Sequence, residues 1–224
     1  MSATNVFHVK ICGVRLKSDI DAVRRAGADA IGLNFYPKSI RYLDPSAPST
    51  LDLSQYAKQQ GLHRVGVFVN ESAANIRTIV TADLIDRVQL HGDESLADAT
   101  AIAVSPLPLL RAIKLPVGAL TVPVIAAAVD PWVDAGYGVL LDADGGSAHG
   151  GSGQRLDWSS IGRWSNDRRQ VDWGLAGGLR PDNVAEAIRT THAKAVDVAS
   201  GVESPRGQKS ARLIEQFCLA ASFS

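Results

Sequence analysis

The sequence predicts an α/β fold, a single-domain (β/α)8 barrel spanning residues 1–224. Three observations lead there. Short apolar, β-branched runs recur eight times, at 6–11, 30–35, 64–69, 87–91, 109–114, 137–142, 171–176 and 195–199. Each is apolar on both faces, as a strand is when a parallel sheet is covered on both sides. Helix-forming stretches lie between the runs, and regular strand–helix alternation builds parallel sheets. No Gly-x-Gly-x-x-Gly follows the first run, where a doubly wound dinucleotide fold would carry it. That open sheet is the rival architecture, and the closed TIM barrel fits better.

The helices carry start and stop signals. Ser18 is placed as the cap of a helix over 19–26 that stops at Gly27. Ser72 opens 73–80, and Pro181-Asp182-Asn183 introduces 184–189. A terminal helix over 213–221 takes Cys218 as a packing residue. No linker, low-complexity tract or duplication divides the chain.

Composition narrows the function. The chain is 46% hydrophobic and 21% charged, with 23 Lys+Arg against 23 Asp+Glu, so no net field draws it to nucleic acid or to an anionic membrane. Trp132, Trp158, Trp164 and Trp173 read as packing residues, not as a stacking platform for bases. Cys12 and Cys218 form no CxxC, and His8, His63, His149 and His192 show no ligand spacing, so no metal is expected. The apolar runs fall well short of the roughly 18 residues of a membrane span, and no basic-then-apolar leader opens the chain. A reducing cytoplasm is the expected compartment.

In such a barrel the loops after the strands build the active face. The first run delivers Cys12-Gly13 and the sixth delivers Asp142. A thiol and a carboxylate far apart in sequence thus meet on one face and flank one small substrate, which points to acid–base chemistry. The loops after runs seven and eight carry Gly177-Gly178 and Ser200-Gly201. Such residues let backbone N–H groups approach an anion with no Cβ in the way, and barrels often bind phosphate at these two loops. The alternative is that these glycines only serve tight turns.

These motifs, taken together, resemble one family. Lys10-Ile11-Cys12-Gly13, Phe35-Tyr36-Pro37-Lys38-Ser39-Ile40-Arg41-Tyr42, Val65-Gly66-Val67-Phe68-Val69-Asn70 and Val88-Gln89-Leu90-His91-Gly92 are similar to phosphoribosylanthranilate isomerases. So are Leu140-Leu141-Asp142, Gly150-Gly151-Ser152-Gly153 with Asp157-Trp158, Gly177-Gly178-Leu179, and Val196-Asp197-Val198 with Ser200-Gly201-Val202-Glu203. The resemblance runs from residue 9 to about 217, in family order. It implies an Amadori rearrangement in tryptophan biosynthesis, turning N-(5-phosphoribosyl)anthranilate into 1-(2-carboxyphenylamino)-1-deoxyribulose 5-phosphate. It implies no cofactor, and the small phosphosugar–anthranilate substrate as partner of a monomer or homodimer.

Under that resemblance Asp142 is the general acid that protonates the furanose ring oxygen. Cys12, as thiolate, is the base that removes the C2′ proton. Both roles need a shifted pKa, because a free carboxyl is ionised at neutral pH and a free thiol is not. Lys10 is not enlisted to help Cys12, on the ground that strand side chains alternate between faces. Arg41 is the expected grip on the anthranilate carboxylate, through its planar fork; a solvated surface arginine is the alternative. His91 either lines the pocket or is a hydrogen-bonded structural residue. Asp197 is read as organising backbone near the phosphate loops. The chain departs from the family pattern at Ala143, Asp144, Ala176 and Ser210. Two rival readings stay open: a related phosphosugar isomerase of the histidine pathway, and a catalytically silent phosphate-binding scaffold.

Overall fold

The computed structural model describes residues 7–103, 107–143, 156–168 and 171–222. Eight strands form a closed, all-parallel barrel in chain order. They are β1 (Val9–Cys12), β2 (Ala30–Asn34), β3 (His63–Phe68), β4 (Arg87–Leu90), β5 (Leu109–Leu115), β6 (Gly138–Ala143), β7 (Trp173–Leu175) and β8 (Val196–Val198). The helices between and after them are α1 (Lys17–Arg25), α2 (Pro48–Gln59), α3 (Ala73–Thr81), α4 (Leu96–Ile102), α5 (Val122–Asp134), α6 (Trp158–Asn166), α7 (Val184–Thr191) and α8 (Ala211–Ser222). Strand β1 pairs with β8 and closes the ring, with Lys10 opposite Asp197 and Ile11 opposite Val198.

All eight apolar runs become strands, with ends that move by up to three residues in either direction. Phe7, expected inside the first strand, sits before it in a small interior cluster with Ala30, Val65, Leu110, Leu140, Ala176 and Ala195. The larger apolar core fills the shell between strands and helices. Ser72 caps α3 by accepting from Asn75 N at 3.2 Å, as expected. Ser18 does not cap α1. The Asp19 carboxylate reaches back to Arg15 N (3.1 Å) and Leu16 N (3.0 Å), and the helix therefore starts at Lys17. Cys218 is buried on α8, as read.

One charged strand residue faces outward and ties the shell together. Arg64 of β3 is fully buried, and its guanidinium donates to Asp86, Ser54 and Asp83 over 2.6–3.0 Å. Those bonds fix α2 and the turn before β4 to the barrel wall. Removing the guanidinium strips five hydrogen bonds from α2 and that turn, but Asp83 and Asp86 can turn to water, so Arg64→Met should cost about 1–3 kcal/mol of stability in urea unfolding.

Candidate active site

The site opens at the C-terminal ends of the strands. Cys12 and Asp142 line one pocket there, with Asn34, Arg41, Val67 and His91, and with both glycine loops. The pocket is open to solvent, with about 690 Å³ of space counted out through its mouth. Every sequence-predicted site residue lines it: Cys12, Asp142, Arg41, His91, Gly177, Gly178, Ser200 and Gly201.

Cys12 ends β1, half-buried, with its sulfur against bare backbone. A Cβ on Gly32 of the neighbouring strand would lie 2.6 Å from Cys12 Sγ, so glycine there makes room for the thiol. Burial is the largest influence on the thiol and pushes it above the ordinary value, with Asp197 adding to the rise. Lys10, Lys209 and Arg41 pull it down. Setting Lys10 aside was therefore a mistake of geometry. Alternation sends neighbours apart, but Lys10 and Cys12 are two apart and share the interior face.

Asp142, the last residue but one of β6 and 8% exposed, meets His91, which follows β4. His91 Nε2 lies 3.2 Å from Asp142 Oδ2, while His91 Nδ1 lies 3.1 Å from Gln89 Nε2. An amide nitrogen only donates, so this setting makes Nδ1 the acceptor and puts the ring proton on Nε2, facing Asp142. Gln89 Oε1 has no hydrogen-bond partner among the described residues. Turning the amide over would seat Oε1 on Nδ1–H and leave Nε2 to accept a proton from Asp142. His91 is thus a pocket residue bonded to the carboxylate. Below it, Glu94 accepts from Asn70 N, Gly92 N and Arg111, and so braces the loops after β3 and β4.

Arg41 is 7% exposed and is not a solvated surface arginine. Its Nε and Nη2 donate to the two oxygens of Glu203 at 2.6 and 2.7 Å. Gly13 permits this path: φ is +79° there, and a Cβ would fall 2.2 Å from Arg41 Cδ. Glu203 also accepts from Lys209 Nζ (2.9 Å) and Gly207 N (2.9 Å), and Lys209 donates to Ala199 O at 2.8 Å. Sequence reasoning assigned no role to Glu203 or Lys209, because Glu203 pairs with Arg41, 162 positions away. Burial opposes the Glu203 charge, yet Arg41, Lys209 and Gly207 N outweigh it and bring its pKa to about 2. The sign follows from linkage. The folded value lies below the ordinary 4.5, so this stabilisation is present above pH 4.5 and drains away as the pH falls toward 2. Acid unfolding of wild type should show that loss, and Glu203→Gln should flatten it.

The glycine loops meet edge to edge. Gly177 and Gly178 have φ of +79° and +65°, and their backbone N–H groups donate to no other group among the described residues. Asn183 staples this loop to the start of α7, accepting from Arg180 N (2.8 Å) and donating to Gly178 O (3.0 Å). A Cβ on Gly201 would fall 1.9 Å from Leu179 O, so the two loops touch only because that position is bare. Gly177 has a second duty, since a Cβ there would come within 3.0 Å of Asp142 Oδ1. Asp197 does not organise these loops: its Oδ2 lies 2.9 Å from Lys10 Nζ inside the barrel. Asp144, His149 and the 150–153 segment lie outside the described residues. Among the described residues, no cluster of three His, Cys, Asp or Glu could hold a metal, and no helix is long and apolar enough to cross a membrane.

Residues 9–220 match the family model of N-(5′-phosphoribosyl)anthranilate isomerase. The chain belongs to that family. Relatives bearing that isomerase name include one from Myxococcus xanthus, 41% identical over 215 residues, and one from Neisseria meningitidis serogroup C, 38% identical over 213; each match covers 95% of both chains. The phosphoribosylanthranilate isomerase structure from Thermotoga maritima superposes with a TM-score of 0.83 at 32% identity, covering 97% of this chain and 100% of that one. Another structure of the isomerase, in complex with reduced 1-(o-carboxyphenylamino)-1-deoxyribulose 5-phosphate, gives a TM-score of 0.78 at 31% identity with the same coverage. A further Thermotoga maritima structure, with a TM-score of 0.79 at 31% identity and again the same coverage, is described as monomers generated from a dimeric isomerase.

Proposed function

We propose that the chain converts N-(5-phosphoribosyl)anthranilate to 1-(2-carboxyphenylamino)-1-deoxyribulose 5-phosphate in tryptophan biosynthesis, as a single barrel domain at work in the cytoplasm. The observation that carries this reading is the convergence of Cys12 and Asp142 on one pocket beside the glycine loops. Asp142 gives its proton to the furanose ring oxygen, the C1′–O bond opens, and a protonated Schiff base forms. The Cys12 thiolate then takes the C2′ proton, and its electrons neutralise the iminium to give an enolamine. The Cys12 thiol returns a proton to C1′ and the 2′-hydroxyl proton passes to the Asp142 carboxylate, which delivers the ketone and restores both groups.

Each remaining feature serves that sequence of steps. His91 sits on the face of Asp142 that would exchange its proton. The free N–H groups of Gly177 and Gly178 suit a phosphate, which accepts several hydrogen bonds at once. Arg41 commits two of its five donors to Glu203 and keeps others for a carboxylate. A thiol base also suits a reducing compartment, where it stays unoxidised.

The decisive assay is turnover of freshly made phosphoribosylanthranilate, followed by loss of its fluorescence with the next pathway enzyme present to consume product. Rapid, Cys12-dependent decay supports the reading; a folded protein without decay refutes it. Arg41→Ala should raise KM by roughly 10–100-fold, the worth of a charge-assisted hydrogen bond, with kcat less affected. An unchanged KM would remove Arg41 from substrate binding.

A further inference from the structure

Lys10 occupies the middle of the barrel, one interior rung below Cys12. Its side chain is 0% exposed, and its Nζ lies 2.9 Å from Asp197 Oδ2 across the β1–β8 seam. The Phe7 ring closes the space beneath, 5.7 Å from the ammonium. The ammonium is paired with Asp197 and lies within electrostatic reach of the Cys12 sulfur, and Asp197 Oδ1 has no hydrogen-bond partner among the described residues.

Stability alone gives no reason for such a pair. Desolvating an ammonium costs several kcal/mol, and replacing a buried ion pair by apolar side chains of similar volume is often neutral or stabilising. The neighbouring interior positions Ala30, Val65, Leu110 and Leu140 show that this barrel packs aliphatic residues well. What the charge does have nearby is the thiol. Burial presses the Lys10 ammonium down, yet Asp197 and the Cys12 sulfur together hold it above the ordinary lysine value.

We propose that Lys10 is a positioning residue for the catalytic base: its ammonium, anchored by Asp197, supplies the charge against which the Cys12 thiolate forms. The assignment rests on the reading of Cys12 as the base. When the thiol ionises its proton leaves the sulfur, while Lys10 keeps its own protons throughout. The other charged groups facing Cys12 do not replace it. Arg41, from the loop after β2, and Lys209, from the loop after β8, are both paired with Glu203. His91 and Asp142 bond to each other among the pocket residues. With Lys10 gone, Asp197 would stand as an unbalanced anion beside the sulfur and oppose the thiolate further.

The test uses the full chain in a Cys218→Ala background, so that Cys12 is the only thiol. The rate of iodoacetamide alkylation against pH gives the thiol midpoint in the resting protein. Lys10→Met should raise that midpoint by about one pH unit or more, which slows alkylation at neutral pH by roughly tenfold. The acid limb of the kcat/KM profile should move by the same amount. KM should hold, because Lys10 does not line the pocket. An unchanged midpoint overturns the proposal. Should Lys10→Met fail to fold, the unaltered chain answers the same question by NMR. The Lys10 side-chain resonances must then respond at the thiol midpoint, and indifference to it overturns the proposal as well. The base role is tested separately by turnover of Cys12→Ala. Lys10 coupling can therefore fail with the base intact, and full activity of Cys12→Ala would sink the base reading while leaving the thiol midpoint as measured.

Discussion

Cys12→Ala is expected to lose about three orders of magnitude in kcat, the scale of a positioned general base, with the barrel still folded. Asp142→Ala should lose a comparable amount through the acid step. The two side chains serve successive proton transfers on one substrate, so the double variant should be little worse than either single one. Alanine fits at both places: Cys12 borders open pocket, and Asp142 keeps only one backbone bond of its own, from Ala143 N at 2.8 Å. Circular dichroism and thermal unfolding would establish that the fold persists, and steady-state turnover would give the loss. Near-wild-type rates in either variant would remove that residue from the chemistry. Binding of the reduced product analogue should survive in Cys12→Ala, because the anion cradle is built elsewhere.

Gly201→Ala is the second large effect expected, and it falls on binding. The added methyl would meet Leu179 O at 1.9 Å and Leu179 C at 3.0 Å, both backbone atoms that no rotamer change can clear. The loops after β7 and β8 must separate, and the N–H groups of Gly177 and Gly178 lose their aim. Two misdirected hydrogen bonds to a charged group are worth about 3 kcal/mol, so KM should rise by roughly 100-fold. Titration with inorganic phosphate as a competing ligand would isolate the cause, since the anion has no anthranilate to bind Arg41. If KM and phosphate affinity both stay put, the loops serve the fold alone.

The barrel was legible because its strands are apolar on both faces, and eight such runs stand out from the helical segments between them. Strand ends were less so. Phe7 belongs to the interior cluster beneath β1, not to the strand, and nothing in its type says which. Ser72 announced its helix, but Ser18 misled, because Asp19 reaches back to the N–H groups of Arg15 and Leu16 and starts the helix at Lys17, which puts Ser18 inside its first turn. Cys12 and Asp142 were readable from their places at strand ends. Their partners were not. Arg41 with Glu203 and Lys10 with Asp197 are made by ring closure, and no local pattern encodes a contact across the chain. A lysine within an otherwise apolar strand was the available sign, since buried lysines are rare unless paired.

The β1–β8 seam has a consequence in time. Strand β1 holds the thiol, and its flank stays open until β8 arrives and sets Asp197 opposite Lys10. Pairings of such long sequence separation form late, after local helices and adjacent strands. A refolding chain should therefore regain helical signal before it regains any turnover, and activity should return in a single step with the slowest structural phase. Until β1 and β8 have paired, the Cys12 thiol lacks the Lys10–Asp197 pair beneath it.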